Sequence, residues 1–254
     1  MTTFLKMFGR RWLLTTLLVL VGSAVCVRLG IWQLDRLEQR RAFNAHYEAM
    51  KALPPLELTG QTAEDLSAQE YRAVTARGVY DPEAQVVIRN QYFRGQLGYH
   101  LLTPLVFEDG AAILVDRGWI PAEGNDTPAD WRKYDQPGLV EVVGILRPSR
   151  AVDDFGRDLN PPLAPGQTRL DFWTLVDVAR IQQQVSPALL SAYIQPNIDP
   201  ADETPPVPYQ PSVEITEGPH FGYALQWFTF AAILFFGYPF FLKSRETMMM
   251  EDRA

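Results

Sequence analysis

One cysteine and three histidines are all this chain of 254 residues offers to thiol and imidazole chemistry. A lone cysteine, Cys26, excludes an intrachain disulfide framework, a C-x-x-C redox pair, a thiolate zinc site and a C-x-x-C-H haem attachment. Basic charge is scarce as well. Residues 33–217 carry 16 Lys and Arg against 27 Asp and Glu, a net charge of −11, and residues 201–220 contain no Lys or Arg at all. Phosphate contacts need clustered basic side chains, so nucleic acid is excluded as a partner. An acidic surface of this kind favours basic soluble partners, or simply stays dispersed near an anionic surface. Also missing are a G-x-S-x-G elbow, a Walker A loop, an H-E-x-x-H helix and paired catalytic carboxylates. The methionines at 248–250 lack copper-site spacing. The sequence makes no positive case for an enzyme.

Apolar length, by contrast, is plentiful. Residues 12–32 and 221–242 form two long apolar runs. At 1.5 Å per residue they reach roughly 31 and 33 Å as helices, against a hydrocarbon core of about 30 Å. Lys6, Arg10 and Arg11 before the first run also fit a secretory signal. No A-x-A cleavage site follows, however, and Val25 is a poor residue to precede a lipoprotein Cys26, so a retained anchor is expected. Lys243 and Arg245 follow the second run at once, which places the C-terminus in the cytoplasm. With two spans, both termini are then inside. The organisation expected is a cytoplasmic tail at 1–11, a transmembrane helix at 12–32, an extracytoplasmic domain at 33–217, a second transmembrane helix at 218–242 and a cytoplasmic tail at 243–254.

Within the outer region, residues 29–50 are rich in helix formers, and the first helix is expected to continue through them until Pro54-Pro55 stops it. The period then changes. Segments 71–80, 85–93, 98–107, 111–120 and 139–148 read as strands, with 170–176 as a sixth and Glu108-Asp109-Gly110 as a hairpin turn. Residues 177–185 predict a short helix capped by Asp177. Loops rich in Pro and Gly occupy 160–166 and 196–211, the latter an extended tether back to the membrane. The fold class is a membrane protein with two transmembrane helices flanking a mostly antiparallel β (α+β) extracytoplasmic domain.

A histidine where a transmembrane helix enters the bilayer is costly for a plain anchor. His220, Tyr223 and Trp227 stand at i, i+3 and i+7, with small Ala224 and Ala231 beside them. An imidazole flanked by flat apolar surface suits the axial position of a porphyrin; an aromatic belt is the competing reading. Trp32 and Arg36, at the outer end of the first run, are either the other wall of a site between the helices or an interfacial anchor. In VDRGWIP, residues 115–121, Arg117 either pairs with a carboxylate such as a haem propionate or a partner side chain, or sits in a local pair with Asp116 beside a packing tryptophan. His46, on a surface helix, and His100, in an alternating strand, are poor ligand candidates.

Four blocks in order, LGIWQLDRLEQR (29–40), RGQLGYHLLTPL (94–105), ILVDRGWIP (113–121) and HFGYALQWF (220–228), are similar to those of the surfeit locus protein 1 family, membrane-anchored assembly factors of cytochrome c oxidase. The resemblance covers nearly the whole chain and includes the two-span layout. It implies a part in building the catalytic subunit of the oxidase, together with other assembly factors, through binding or insertion of haem a. It also implies that His220 is the haem ligand, with Tyr223 and Trp227 completing the family's H-x-x-Y-A-x-x-W pattern. Gly218-Pro219 departs from the polar residues common just upstream. Bacterial members sit in the plasma membrane with the domain outside. A scaffold that stabilises an oxidase intermediate without haem, and a membrane-tethered extracytoplasmic binding or sensor module, are the alternatives.

Overall fold

The computed structural model describes residue 7 and residues 9–62, 65–199, 201 and 203–251. Lys6, counted above among the basic residues preceding the first run, lies outside them. The chain divides into two compact units, one of Met1–His46 with Glu214–Ala254 and one of Tyr47–Val213.

The first unit is built on two helices, α1 at Leu13–Ala52 and a long C-terminal helix at His220–Glu251. Both contain a stretch long and apolar enough to cross a membrane. As expected, α1 continues past the apolar run and stops just before Pro54-Pro55. Its buried residues, Thr16, Ser23, Gly30 and Leu37, fall seven apart. A seven-residue spacing keeps one narrow seam facing a neighbouring helix. The C-terminal helix answers with Ala224, Ala231 and Tyr238, also seven apart and buried. Small residues let two helices approach closely where no hydrophobic force separates helix from lipid. At Gly30 the approach is closest: a Cβ there would lie 2.7 Å from Cε1 of Phe228. Thr16 is hydrogen-bonded across the seam to the Tyr238 hydroxyl at 2.8 Å and donates to the Met7 carbonyl at 2.7 Å.

The second unit is an eight-stranded sheet. Its strands are β1 (Leu56–Leu58), β2 (Ala73–Tyr80), β3 (Val86–Phe93), β4 (Gln96–Val106), β5 (Ala112–Pro121), β6 (Leu139–Pro148), β7 (Phe172–Trp173) and β8 (Leu189–Pro196). The order is β1-β2-β6-β8-β5-β4-β3-β7, and a further β2–β4 pairing closes β2, β6, β8, β5 and β4 into a barrel. Five of the pairings are antiparallel; β1–β2, β3–β7 and β5–β8 are parallel. Val74, Ala76, Leu105, Ile113, Val115, Leu146, Ala192 and Ile194 fill the barrel, each fully buried. A second cluster, with Leu102, Leu114, Trp173, Val178 and Ile181, packs on the outer face of the sheet.

The six expected strands are present within a few residues, the sixth reduced to two residues. β1 and β8 are additions, and β8 is central. Two short helices join the strands, α2 at Pro128–Trp131 and α3 at Val178–Ile181. Asp177 caps α3 as expected, accepting from the Arg180 amide at 3.1 Å. The helix tightens into a 3₁₀ turn at Gln182–Gln184. The C-terminal helix is α4 from here on.

Candidate functional site

His220 is the first residue of α4, where the chain turns in through Gly218 at φ +66 and Pro219. The half-buried imidazole meets α1 through one contact, Nδ1 to Oε1 of Gln33 at 2.8 Å. Gln33 lies three residues after Gly30, on the same seam. The chain entering the histidine is held by the outer turns of α1. Arg40 donates to the carbonyls of Glu214 at 2.5 Å and Thr216 at 3.0 Å, and Asn44 adds a bond to Thr216 at 3.2 Å. Arg41 grips Glu217 with two parallel bonds of 2.8 and 2.9 Å. That fork holds the Glu217 carboxyl below the usual carboxylate range, first through its hydrogen bond and then through its charge.

The other candidates on α4 sit around this point. Trp227 is half-buried and meets Phe230 edge-on at 6.0 Å. Tyr223 is 47 % exposed. At Gly222 the space beyond the backbone is open. Trp32 is one residue before Gln33, hence about 100° around the helix. It is 42 % exposed, and Arg36 stacks on its ring at 5.8 Å while donating to Gln39 at 2.9 Å. The structure thus pairs Trp32 with Arg36 and brings Gln33 to the histidine. Sequence reasoning missed Gln33; the seven-residue spacing of Thr16, Ser23, Gly30 and Leu37 is the signal that marks its face.

In the second unit, VDRGWIP forms most of β5 and contains a bulge. The β4 partners Leu101 and Leu102 face Gly118 and Asp116, leaving Arg117 as the extra residue. A bulge re-aims its side chains. Asp116 turns to His100, with Nδ1 to Oδ2 at 2.9 Å, and to Gln195 at 3.4 Å. Arg117 lies over the Tyr80 ring at 4.8 Å and donates to the Tyr134 carbonyl at 2.5 Å. Burial lowers the Arg117 pKa and raises that of Tyr80 to about 12. The guanidinium borders a cleft of about 410 Å³, with Tyr80, Gln136, Glu141 and the prolines 205, 206 and 208 on its walls. Asp116 and Arg117 therefore serve different neighbours, where a local pair was one expectation. His100 is 8 % exposed and committed to Asp116, and His46 lies half-buried on α1.

A cluster of three or more His, Cys, Asp or Glu side chains able to hold a metal is absent among the described residues. A porphyrin iron needs less, a single imidazole nitrogen with flat apolar surface beside it. His220 offers the nitrogen, and Tyr223 and Trp227 at i+3 and i+7 place aromatic surface on the same helical face.

The model of the SURF1 family matches residues 20–232. The chain is 26 % identical over 225 residues to a SURF1-like protein of Rickettsia felis, covering 87 % of this chain and 93 % of that protein. A SURF1-like protein of Rickettsia bellii is 25 % identical over 245 residues, covering 94 % and 95 %. Surfeit locus protein 1 of Arabidopsis thaliana is 24 % identical over 284 residues, covering 91 % and 78 %. With a match that runs from within α1 through the barrel into the first part of α4, the chain belongs to the SURF1 family, a family known as assembly factors of cytochrome c oxidase rather than enzymes.

Proposed function

We propose that this protein is a membrane-anchored assembly factor for haem-copper cytochrome c oxidase that binds haem a and helps insert it into the catalytic subunit. His220 is the axial ligand, and Tyr223 and Trp227, on the same helical face, supply aromatic surroundings, while Trp32 is stacked with Arg36 on α1. Arg117, in the second unit, serves a partner's carboxylate at its own cleft. The protein sits in the bacterial plasma membrane with both termini cytoplasmic and residues 33–217 outside, where it meets the catalytic subunit and other assembly factors. The observation that carries the reading is the histidine itself. It opens α4 at the polar end of a seam of small residues, with one ring nitrogen held by Gln33 at 2.8 Å and the other edge left toward Gly218. A plain anchor has no need of an oriented imidazole at that depth.

The test is to purify the protein from cells that make haem a and record its absorption spectrum, then to repeat it with His220→Ala. Haem in the natural protein and its loss in the variant are expected. A natural protein without haem, or a variant that keeps as much, removes the ligand role. The protein would then act as a scaffold that stabilises an oxidase intermediate.

A further inference from the structure

We propose that Gln33 is the positioning residue of the His220 site, selecting Nε2 as the only ring nitrogen open to a ligand. The inference rests on the reading of His220 as a ligand and extends it to the atom that binds. A glutamine Oε1 carries no proton, so its 2.8 Å contact with Nδ1 is a hydrogen bond only when Nδ1 carries one. In a neutral imidazole the other nitrogen is then a bare acceptor. That nitrogen lies on the side of Gly218, where a Cβ would stand 3.5 Å from it. Glycine, having no Cβ, places no side-chain atom against this edge of the half-buried ring.

The backbone is fixed as firmly as the ring. Arg40, Arg41 and Asn44 fasten Glu214, Thr216 and Glu217, so three of the four residues before Gly218-Pro219-His220 are tied to the same helix that carries Gln33. Seven residues separate Gln33 from Arg40 and four more reach Asn44, which keeps all three on one face of α1. Groups that orient a metal-binding histidine through its second nitrogen set both affinity and ligand basicity. An amide acceptor orients the ring while pulling less on the Nδ1 proton than a carboxylate would. Gln33 therefore gives a ligand of moderate basicity, suited to a group that is held and then passed on.

The experiment uses the full chain, detergent-solubilised and labelled with ¹⁵N-histidine, with His220→Ala assigning the resonance. Natural protein, Gln33→Leu and Gln33→Glu are compared, first without haem and then titrated with ferric haem. The natural protein is expected to show a protonated Nδ1 and a bare Nε2, and Gln33→Leu a mixture of tautomers. Haem affinity should fall by about 10- to 100-fold in Gln33→Leu. Gln33→Glu should favour ferric over ferrous haem about tenfold, a midpoint lower by about 59 mV for one electron. A natural protein protonated at Nε2, or a Gln33→Leu variant with an unchanged tautomer and affinity, overturns the proposal. The two readings fail separately. No haem uptake with the expected tautomer pattern refutes the ligand role of His220 and leaves Gln33 as its orienting partner. Haem uptake lost in His220→Ala but indifferent to Gln33 refutes the role of Gln33 alone.

Discussion

The glycine of VDRGWIP gives the sharpest test of the barrel's construction. Gly118 has φ +123, and a Cβ on it would stand 2.2 Å from the Val207 carbonyl oxygen and 2.3 Å from its carbon. The segment around Val207 crosses β5 here through two backbone bonds, Trp119 N to Val207 O at 2.7 Å and Val207 N to Trp119 O at 2.8 Å. Gly118→Ala confronts both constraints. A side chain at this φ costs on the order of 1–3 kcal/mol. The obstructing atoms are backbone, so relief requires the Val207 segment to lift, with a loss of about 0.5–1.5 kcal/mol for each bond. About 3 kcal/mol in total is expected, which for a domain of this size lowers Tm by about 6–12 °C. Thermal unfolding of the detergent-solubilised protein by near-ultraviolet circular dichroism measures it. Gly110→Ala is the control, because Gly110 has φ +86 but nothing within 4 Å of a Cβ. It bears the strain term alone. If Gly118→Ala melts within 2 °C of the natural protein, or alongside Gly110→Ala, the close approach of Val207 does not hold the domain together.

Trp131 is fully buried in a cluster with Val87, Leu101 and Ile120, and its indole donates to the Asn125 carbonyl at 2.9 Å. Trp131→Ala should cost about 3–5 kcal/mol, read from the shift of the denaturation midpoint in urea. Tyr80 and Tyr193 are pushed up to about 12 by burial, Tyr193 also by the negative charge of Asp116. Raised pKa values mean stability present below the unfolded value near 10 and lost as pH rises through about 12. Absorbance at 295 nm should therefore show a late component from Tyr80 and Tyr193, and Tyr80→Phe should reduce it. At the acid end, Glu217 has its pKa lowered by Arg41, so their pairing is present above the usual carboxylate range and fades as pH falls through the depressed value. Arg41→Gln should return the Glu217 carboxyl titration, followed by ¹³C NMR, to the ordinary range.

Strands announced themselves in the sequence where branched and aromatic residues are dense. QVVIRNQYF and AAILVDRGWI are examples, and both form strands. LLSAYIQP shows why β8 was missed. Only Tyr193 and Ile194 favour a strand in it, among Leu, Ser, Ala, Gln and Pro. Its conformation comes from lying between β5 and β6, pairing parallel with one and antiparallel with the other. The bulge at Arg117 was equally hidden, because no local residue type dictates that Asp116 should reach His100 rather than its neighbour. At the candidate site, His220 was legible from its position at the head of an apolar run. Its partner was not: Gln33 is 187 residues away, and hydropathy treats a glutamine near the end of a span as an interruption.

The seam explains why one end of the helix pair is suited to a ligand. Thr16 meets Tyr238, Gly22 nears Leu234, Gly30 meets Phe228 and Gln33 meets His220, so α1 and α4 run antiparallel. The start of α1 and the far end of α4 therefore lie at the same end of the pair. Where lipid surrounds a helix pair, small residues and hydrogen bonds hold it together, each such bond contributing about 0.6 kcal/mol. Among the described residues, an interhelix bond lies toward each end of this seam. The bond at Thr16 and Tyr238 is closed, with exposures of 2 % and 6 %. Gln33 and His220 are half-buried and remain reachable. An identical packing device thus has a sealed form and an open form, and the open form is the one that carries an imidazole. Tethering at Thr16 and Tyr238 holds one end of the pair closed, and the proposed haem exchange at His220 would take place at the other end without the helices separating.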